Sequence, residues 1–186
     1  MDCVSSWIFK FSHTLSCHTH NIELSKSVNI LGVTLSNNLK WDIHFDKALL
    51  SANRRLHVLR LLIKSYVSKN DLLEFLRASI IAIIMYASPL FGPLSSNING
   101  RIKKLKKRAH RIICNASCTC AIIPDLTAQR ERLALNLLLK CELSTHPLHS
   151  LLPSRMPNTK KFCIPFCSTN RRLNSFFPYT CVIANK

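Results

Sequence analysis

The run Trp41-Asp42-Ile43-His44-Phe45-Asp46-Lys47-Ala48-Leu49-Leu50-Ser51-Ala52-Asn53-Arg54-Arg55-Leu56-His57-Val58-Leu59-Arg60-Leu61-Leu62-Ile63-Lys64 decides the fold class. Trp41, Phe45, Ala48, Ala52, Leu56, Leu59 and Ile63 recur at steps of three and four, the spacing that lines one face of an α-helix. Arg54, Arg55, Arg60 and Lys64 lie on or beside the other face. The segment therefore reads as a long amphipathic helix with a core on one side only.

Downstream, Ser68 and Asp71 form a capping box in front of a second helix that carries Leu72, Leu76, Ile80, Ile83 and Ile84. Ser88-Pro89 ends it, because the residue before a proline avoids helical angles. A third helix is predicted from about Asn97, with Ile102, Leu105, Ala109, Ile112 and Ile113 inward. Pro124-Asp125 suits the start of a fourth, in which Leu126, Arg130, Leu133, Leu137 and Lys140 continue at helical spacing until it fades near Leu143. Beyond Ser144 the prolines at 147, 153, 157, 165 and 178 predict an extended tail, since each removes a backbone donor. Upstream, Val28 to Leu35 is β-branched with Gly32 inside, and Ser36-Asn37-Asn38 closes it with turn chemistry, so one strand is predicted there, paired with an earlier one. Ser12 to Asn21 is polar and reads as a loop. The fold class that follows is mainly α: a small N-terminal β element in 1–38, a bundle of about four helices in 39–143, and an irregular Pro/Cys-rich tail in 144–186.

Composition sets the class of partner. The chain has 186 residues, and Lys plus Arg total 26 against 9 Asp plus Glu, a net charge of +17 with pI near 9.9. Such a balance points to a polyanion, nucleic acid first. The abundant, periodic Leu, Ile and Val set it apart from a disordered basic tail. Three Gly argue against phosphate-cradling loops, and no Gly-x-Ser-x-Gly nucleophile motif appears. No repeat and no sustained heptad occurs. The longest uncharged run, Ala78 to Asn97, contains Pro89 and Pro93 and reads as a buried helix, with no membrane role. Met1-Asp2-Cys3-Val4 has neither the basic nor the apolar segment of a secretory signal, so the nine Cys are expected to be reduced and intracellular, in nucleus or cytoplasm. Asn115-Ala116-Ser117 fits a glycosylation acceptor, but in that setting it reads as a chance match.

Charge is concentrated on the third helix. Arg101, Lys103, Lys104, Lys106, Lys107, Arg108 and Arg111 crowd about three turns with no acid among them, whereas an ordinary solvated face mixes signs. With Arg54 and Arg55 they form the candidate nucleic-acid-binding set. Contacts of this kind read phosphate and not base sequence.

Three stretches, in order, resemble the region that follows the catalytic palm in non-LTR (LINE, jockey-like) retrotransposon reverse transcriptases. Asn29-Ile30-Leu31-Gly32-Val33-Thr34-Leu35 through Leu39-Lys40-Trp41-Asp42-Ile43-His44 is similar to the family's YLGV-x-L…L-x-W-x-x-H. Met85-Tyr86-Ala87-Ser88-Pro89-Leu90-Phe91 is similar to L-x-Y-A-S-P-V-W, and Lys103-Lys104-Leu105 through Arg111-Ile112-Ile113 is similar to LEKVQRRAARII with basic residues in place of Glu and Gln. His146-Pro147-Leu148, Leu151-Leu152-Pro153 and Arg171-Arg172-Leu173-Asn174-Ser175-Phe176-Phe177-Pro178 resemble the closing R-x-SFFP…WN, with Ala184 where the family has Trp. Trp7 to Ser12 and Cys17 resemble the W-x-L-x-F-N…K-C segment just after the catalytic residues, with Ser16 in place of Lys. The resemblance implies that 1–38 is the end of a palm, that 39–143 is thumb-like, and that the complete parent enzyme performs RNA-directed DNA synthesis with magnesium on a template-primer.

The carboxylates of that chemistry are not expected here. Two-metal polymerisation needs clustered carboxylates, and the Asp residues at 2, 42, 46, 71 and 125 include no adjacent pair. The chain is therefore expected to be a palm-less piece with no catalytic residue, no cofactor and no metal site of its own. Its expected partner is an RNA-DNA hybrid or duplex bound without sequence preference, with a palm-bearing polymerase chain as a second. Two other readings stand beside it. One is a small zinc-stabilised interaction module built from Cys114, Cys118, Cys120, Cys141, His146, His149, Cys163 and Cys167, which a chelator would unfold. The other is a relic of a mobile element without a role, in keeping with the changes at Ser16 and Ala184.

Overall fold

The computed structural model describes residues 15–17, 20–22, 25–114 and 125–186. Trp7 to Ser12, the Asn115-Ala116-Ser117 triplet, Cys118, Cys120 and Pro124 lie outside the described residues. The chain is mainly helical, with a small antiparallel β element ahead of the helices.

Two short hairpins come first. β1 (Leu15–Cys17) pairs with β2 (His20–Ile22), in a stretch predicted to be a loop. β3 (Ser27–Ile30) pairs with β4 (Val33–Ser36) in a separate two-stranded sheet. The single strand predicted over Val28 to Leu35 is thus a hairpin whose two-residue turn is Leu31-Gly32, with φ of 49° and 81°. Both turn residues are left-handed, the geometry that matches the twist of the flanking strands and that glycine adopts without strain. Gly32 sits at the turn, and the earlier strand is not its partner.

α1 (Asp42–Lys64) buries His44, Phe45, Ala48, Leu49, Ala52, Leu56 and Leu59, so the predicted stripe is the observed one, with Trp41 and Ile63 packed at its ends. It ends in a Schellman motif: the Val67 amide donates to the Leu62 carbonyl at 3.3 Å and the Tyr66 amide to Ile63 at 3.1 Å. The left-handed residue of that motif is Tyr66, φ 56° and 97% exposed. The return pass is α2 (Lys69–Phe75), a π-helical stretch (Leu76–Ile81) and α3 (Ala82–Met85). Ser68 caps α2 by accepting from the Asp71 amide at 3.3 Å and donates its hydroxyl to the Asp71 carboxylate at 2.7 Å, which is the predicted start. The wide π turn brings Ile80 and Ile81 inward together, while Ile83 is only half-buried. Lys69–Leu90 is long and apolar enough in composition to cross a membrane. Here Leu72, Leu76, Ile80 and Ile84 are spent on the bundle core, and the chain turns at Tyr86-Ala87, where Ala87 has φ 53°.

α4 (Ser96–Cys114) buries Ile98, Ile102, Leu105 and Ala109 against α1 and α2. α5 (Leu126–Cys141) starts at Asp125, whose carboxylate accepts from the Thr127 amide at 3.0 Å. Its buried row is Leu126, Arg130, Ala134, Leu138 and Cys141, one residue ahead of the predicted Leu133, Leu137 and Lys140. The reason is its neighbours: beyond Leu126, which joins the main core, α5 packs chiefly on the Ser88–Leu90 turn and on the C-terminal helix.

From 144 through 169 the tail has no α-helix, only a 3-10 turn at His149–Leu151 and a bridge between Arg155 and Phe162, but the extended tail predicted to 186 gives way to α6 (Asn170–Leu173) and α7 (Phe176–Ala184). Pro178 does not break α7, because it lies in the first turn, where its missing amide has no intrahelical partner. Leu138, Phe162 and Cys181 make a second small core with Leu152 and Phe177. Asn185 closes it with two bonds to one residue, accepting from the Phe162 amide at 2.9 Å and donating to the Phe162 carbonyl at 3.0 Å.

Gly92 is where the tail meets the bundle. A Cβ there would stand 2.0 Å from the Asn174 carbonyl oxygen, a backbone atom that cannot swing aside. Gly92→Ala is expected to lift α6 and α7 off the bundle at a cost of about 1–3 kcal/mol, seen as faster hydrogen exchange confined to 170–186. Tyr66→Gly is expected to stabilise by about 0.5–1 kcal/mol, since it relieves left-handed strain and no packing is lost. An unchanged or lower urea midpoint for that variant would count against the Schellman assignment.

Candidate nucleic-acid interface

Helix geometry sorts the α4 cations into three rows. Its apolar row faces α1, so Arg101, Lys104 and Arg108 fall on the flank toward α1, and Lys103, Lys107 and Arg111 run along the outermost face. Lys106 falls on the opposite flank. The contacts agree. Arg101 pairs with Asp46 of α1 at 2.5 Å, and Arg108 Nη1 reaches the Asn53 Oδ1 at 3.4 Å. Both pairs span 55 positions and lie seven residues apart on each helix. α1 and α4 therefore run parallel, side by side, in a constant register.

Between them is a narrow groove of about 180 Å³ lined by Leu49, Asn53, Arg101, Lys104, Leu105 and Arg108. Asn53 is held by its own amide donating to the Leu49 carbonyl at 2.9 Å. The Arg101–Asp46 pair is 38% and 56% exposed, so it contributes at most about 1 kcal/mol and opens readily to another anion. Lys103, Lys104, Lys107, Arg108 and Arg111 are exposed.

Three of the nine predicted residues lie elsewhere. Lys106 is half-buried toward the start of α5, where burial lowers its pKa against the raising influence of Asp125. Arg55 is on the other flank of α1 and donates to the Ser79 carbonyl at 3.0 Å, on the hairpin side. Arg54 lies between the two flanks, exposed. The seven-residue register instead extends the α4 edge of α1 from Asp46 and Asn53 toward His57 and Arg60, both exposed. The 46-53-60 spacing, matched to 101-108 on α4, is the signal that would have found them.

The two stretches around Trp41 and Phe91, some fifty residues apart in sequence, meet at the N-terminal end of α1. Phe91 packs edge-on against Trp41 at 4.8 Å and Phe45 at 5.1 Å, and stacks on His44 at 5.0 Å. His44 is 6% exposed, and its Nδ1 lies 3.4 Å from the Thr34 amide as an acceptor. On α5, Arg130 is also buried, donating to Asn99 at 3.1 Å with burial lowering its pKa. Among the described residues no three of His, Cys, Asp and Glu gather as a metal site. Of the thiols weighed for zinc, Cys114 and Cys141 are buried and Cys163 and Cys167 half-buried.

No protein-family profile, curated protein or solved structure matches this chain.

Burial, and then the Lys47 charge, push the His44 pKa below its ordinary 6.5. The folded value is thus the lower one, and the unfolded chain takes up the proton first as pH falls. Stability is expected to be full above about pH 7 and to decline as pH drops through 6.5 toward the folded pKa. Urea midpoints across that window should slope in the native chain and flatten in His44→Gln; equal slopes would refute the assignment.

Proposed function

We propose that the helical unit grips the phosphate backbone of a nucleic-acid duplex, in the manner of a polymerase thumb on a template-primer. The observation that carries this is the parallel α1–α4 pair, which sets two rows of α4 cations on one accessible side. α4 has 19 residues, a length of roughly 28 Å at 1.5 Å per residue. The phosphates of one strand advance about 3.4 Å each along the duplex axis. Lys103, Lys107 and Arg111 are spaced by one turn each, so a run of phosphates can meet them in succession without any base being read. The motifs quoted above support placing this grip in a reverse-transcriptase setting, with an RNA-DNA hybrid as ligand. Binding, with no chemistry of its own, is the activity proposed.

Affinity for a fluorescent RNA-DNA hybrid is expected to fall steeply with salt, log K against log salt having a slope of about −4 to −5 for five phosphate contacts. Replacing Lys103, Lys107 and Arg111 with Gln should make that slope shallower by about 3 and weaken binding equally for unrelated sequences. Arg55→Gln should leave the slope unchanged. Binding that is flat in salt, or a triple variant that binds like the native chain, would sink the proposal.

A further inference from the structure

A second basic site, with no acid among its described lining residues, lies on the other flank of α1. A cavity of about 480 Å³ opens between the β3–β4 hairpin, α1, the π-helical stretch and α3. That size falls in the range of roughly 300–1,000 Å³ typical of small-molecule sites. Small side chains leave it room on three elements, Ala48 on α1, Ala78 on the π stretch and Ala82 on α3, while His44 and Ile83 complete the wall. Lys47 and Arg55 stand at its rim, eight residues apart on one helix, or about 12 Å along the axis. Among the described residues neither is closed off by a carboxylate, and no Asp or Glu is in the described lining. Lys47 Nζ donates to the Thr34 hydroxyl at 3.3 Å, and Arg55 uses one guanidinium nitrogen on the Ser79 carbonyl. Each cation is held in place by a neutral partner, with further donors to spare.

Tyr86 supplies an aromatic wall. Its hydroxyl donates to the Leu31 carbonyl at 2.8 Å, which fixes the ring across the hairpin turn, and the side chain is 53% exposed. Gly32 leaves the ring its room, since a Cβ there would already touch the tyrosine at 3.5 Å. Asn29, also in the lining, offers an amide that both donates and accepts. Two cations match the charge of a phosphate monoester, about −1.5 to −2 at neutral pH. A fixed aromatic ring opposite an alanine floor suits a flat heterocycle, and the amide suits a heterocycle with polar edges.

We propose that this cavity binds a nucleoside monophosphate group, its phosphate between Lys47 and Arg55 and its base between Tyr86 and the alanine floor. The site is separate from the α4 face and does not rest on the duplex-binding proposal. The same group can come as a free nucleotide or as the 5′-phosphorylated end of a strand.

The test is equilibrium binding of fluorescent N-methylanthraniloyl-AMP to the full chain, competed by AMP, adenosine, inorganic phosphate and a 5′-phosphorylated trinucleotide. AMP is expected to compete at least tenfold better than adenosine or phosphate. Lys47→Gln with Arg55→Gln, both exposed positions, should weaken AMP at least tenfold while helicity by circular dichroism stays native. Ala82→Phe should abolish binding by filling the cavity. The Lys103/Lys107/Arg111 variant should keep AMP affinity within twofold, which separates this site from the duplex grip. A trinucleotide that outcompetes AMP assigns the group to a strand end, and a weaker one assigns it to a free nucleotide. No saturable AMP binding by the folded chain, equal affinity in the Lys47/Arg55 variant, or an equal loss in the α4 variant would overturn the proposal.

Discussion

Burial of the apolar stripe of α1 is the constraint on which the rest of the molecule depends. Phe45, Ala52 and Leu59 are wholly inaccessible, and Leu56 nearly so. Each large side chain removed from water is worth about 1.5–3 kcal/mol, so this one helix accounts for much of the driving force available to the bundle. β4, α2, the π stretch, α3 and α4 all touch it. Phe91 seals one end by meeting Trp41, His44 and Phe45, and in doing so carries the linker to α4 across the end of α1. α5 is the exception. It docks on the linker and on α7, which is why the C-terminal part has a separate, smaller core.

That arrangement decides where charge can gather. A chain of net charge +17 must keep its cations apart or supply them with anions. Because the return pass runs down α2 and α3, α1 and α4 come to lie parallel, and their polar edges meet along one groove. Cations at 101, 104 and 108 share that groove, while those at 103, 107 and 111 look outward. On the far flank, Lys47 and Arg55 are separated from them by the thickness of α1. One basic surface in the sequence is thus two in space, with different shapes: a linear ridge and a concave site floored by alanine.

Most helices were legible because a periodicity of 3.6 and local capping act within a few turns. The stripe of α1, the Ser68-Asp71 box and the inward row of α4 depend on nothing distant. The errors have equally physical causes. Leu31-Gly32 reads as part of a β-branched run until the glycine is seen as a left-handed turn. α5 carries leucines at 126, 133, 135, 137, 138 and 139, so its sequence permits more than one buried face. Contact with α7 selects Ala134 and Leu138. Pro178 looks like a breaker by type and is a helix starter by position. The cation set was legible as composition but not as grouping, since whether Arg55 joins Arg101 depends on which flank of α1 each neighbour occupies.

By itself the sequence determined the helical class, the extent of the four long helices, the buried rows of α1 and α4, and the concentration of positive charge on α4. These follow from short-range spacing, where residues three and four apart share a face whatever the rest of the chain does. Only the tertiary structure decided that α1 and α4 run parallel, that Arg101 leans on Asp46, that Arg55 and Lys47 share a cavity, and that the tail folds back to place Asn174 against Gly92. Those outcomes depend on contacts between positions tens of residues apart, and such contacts are selected by packing the whole core at once, not by any local pattern.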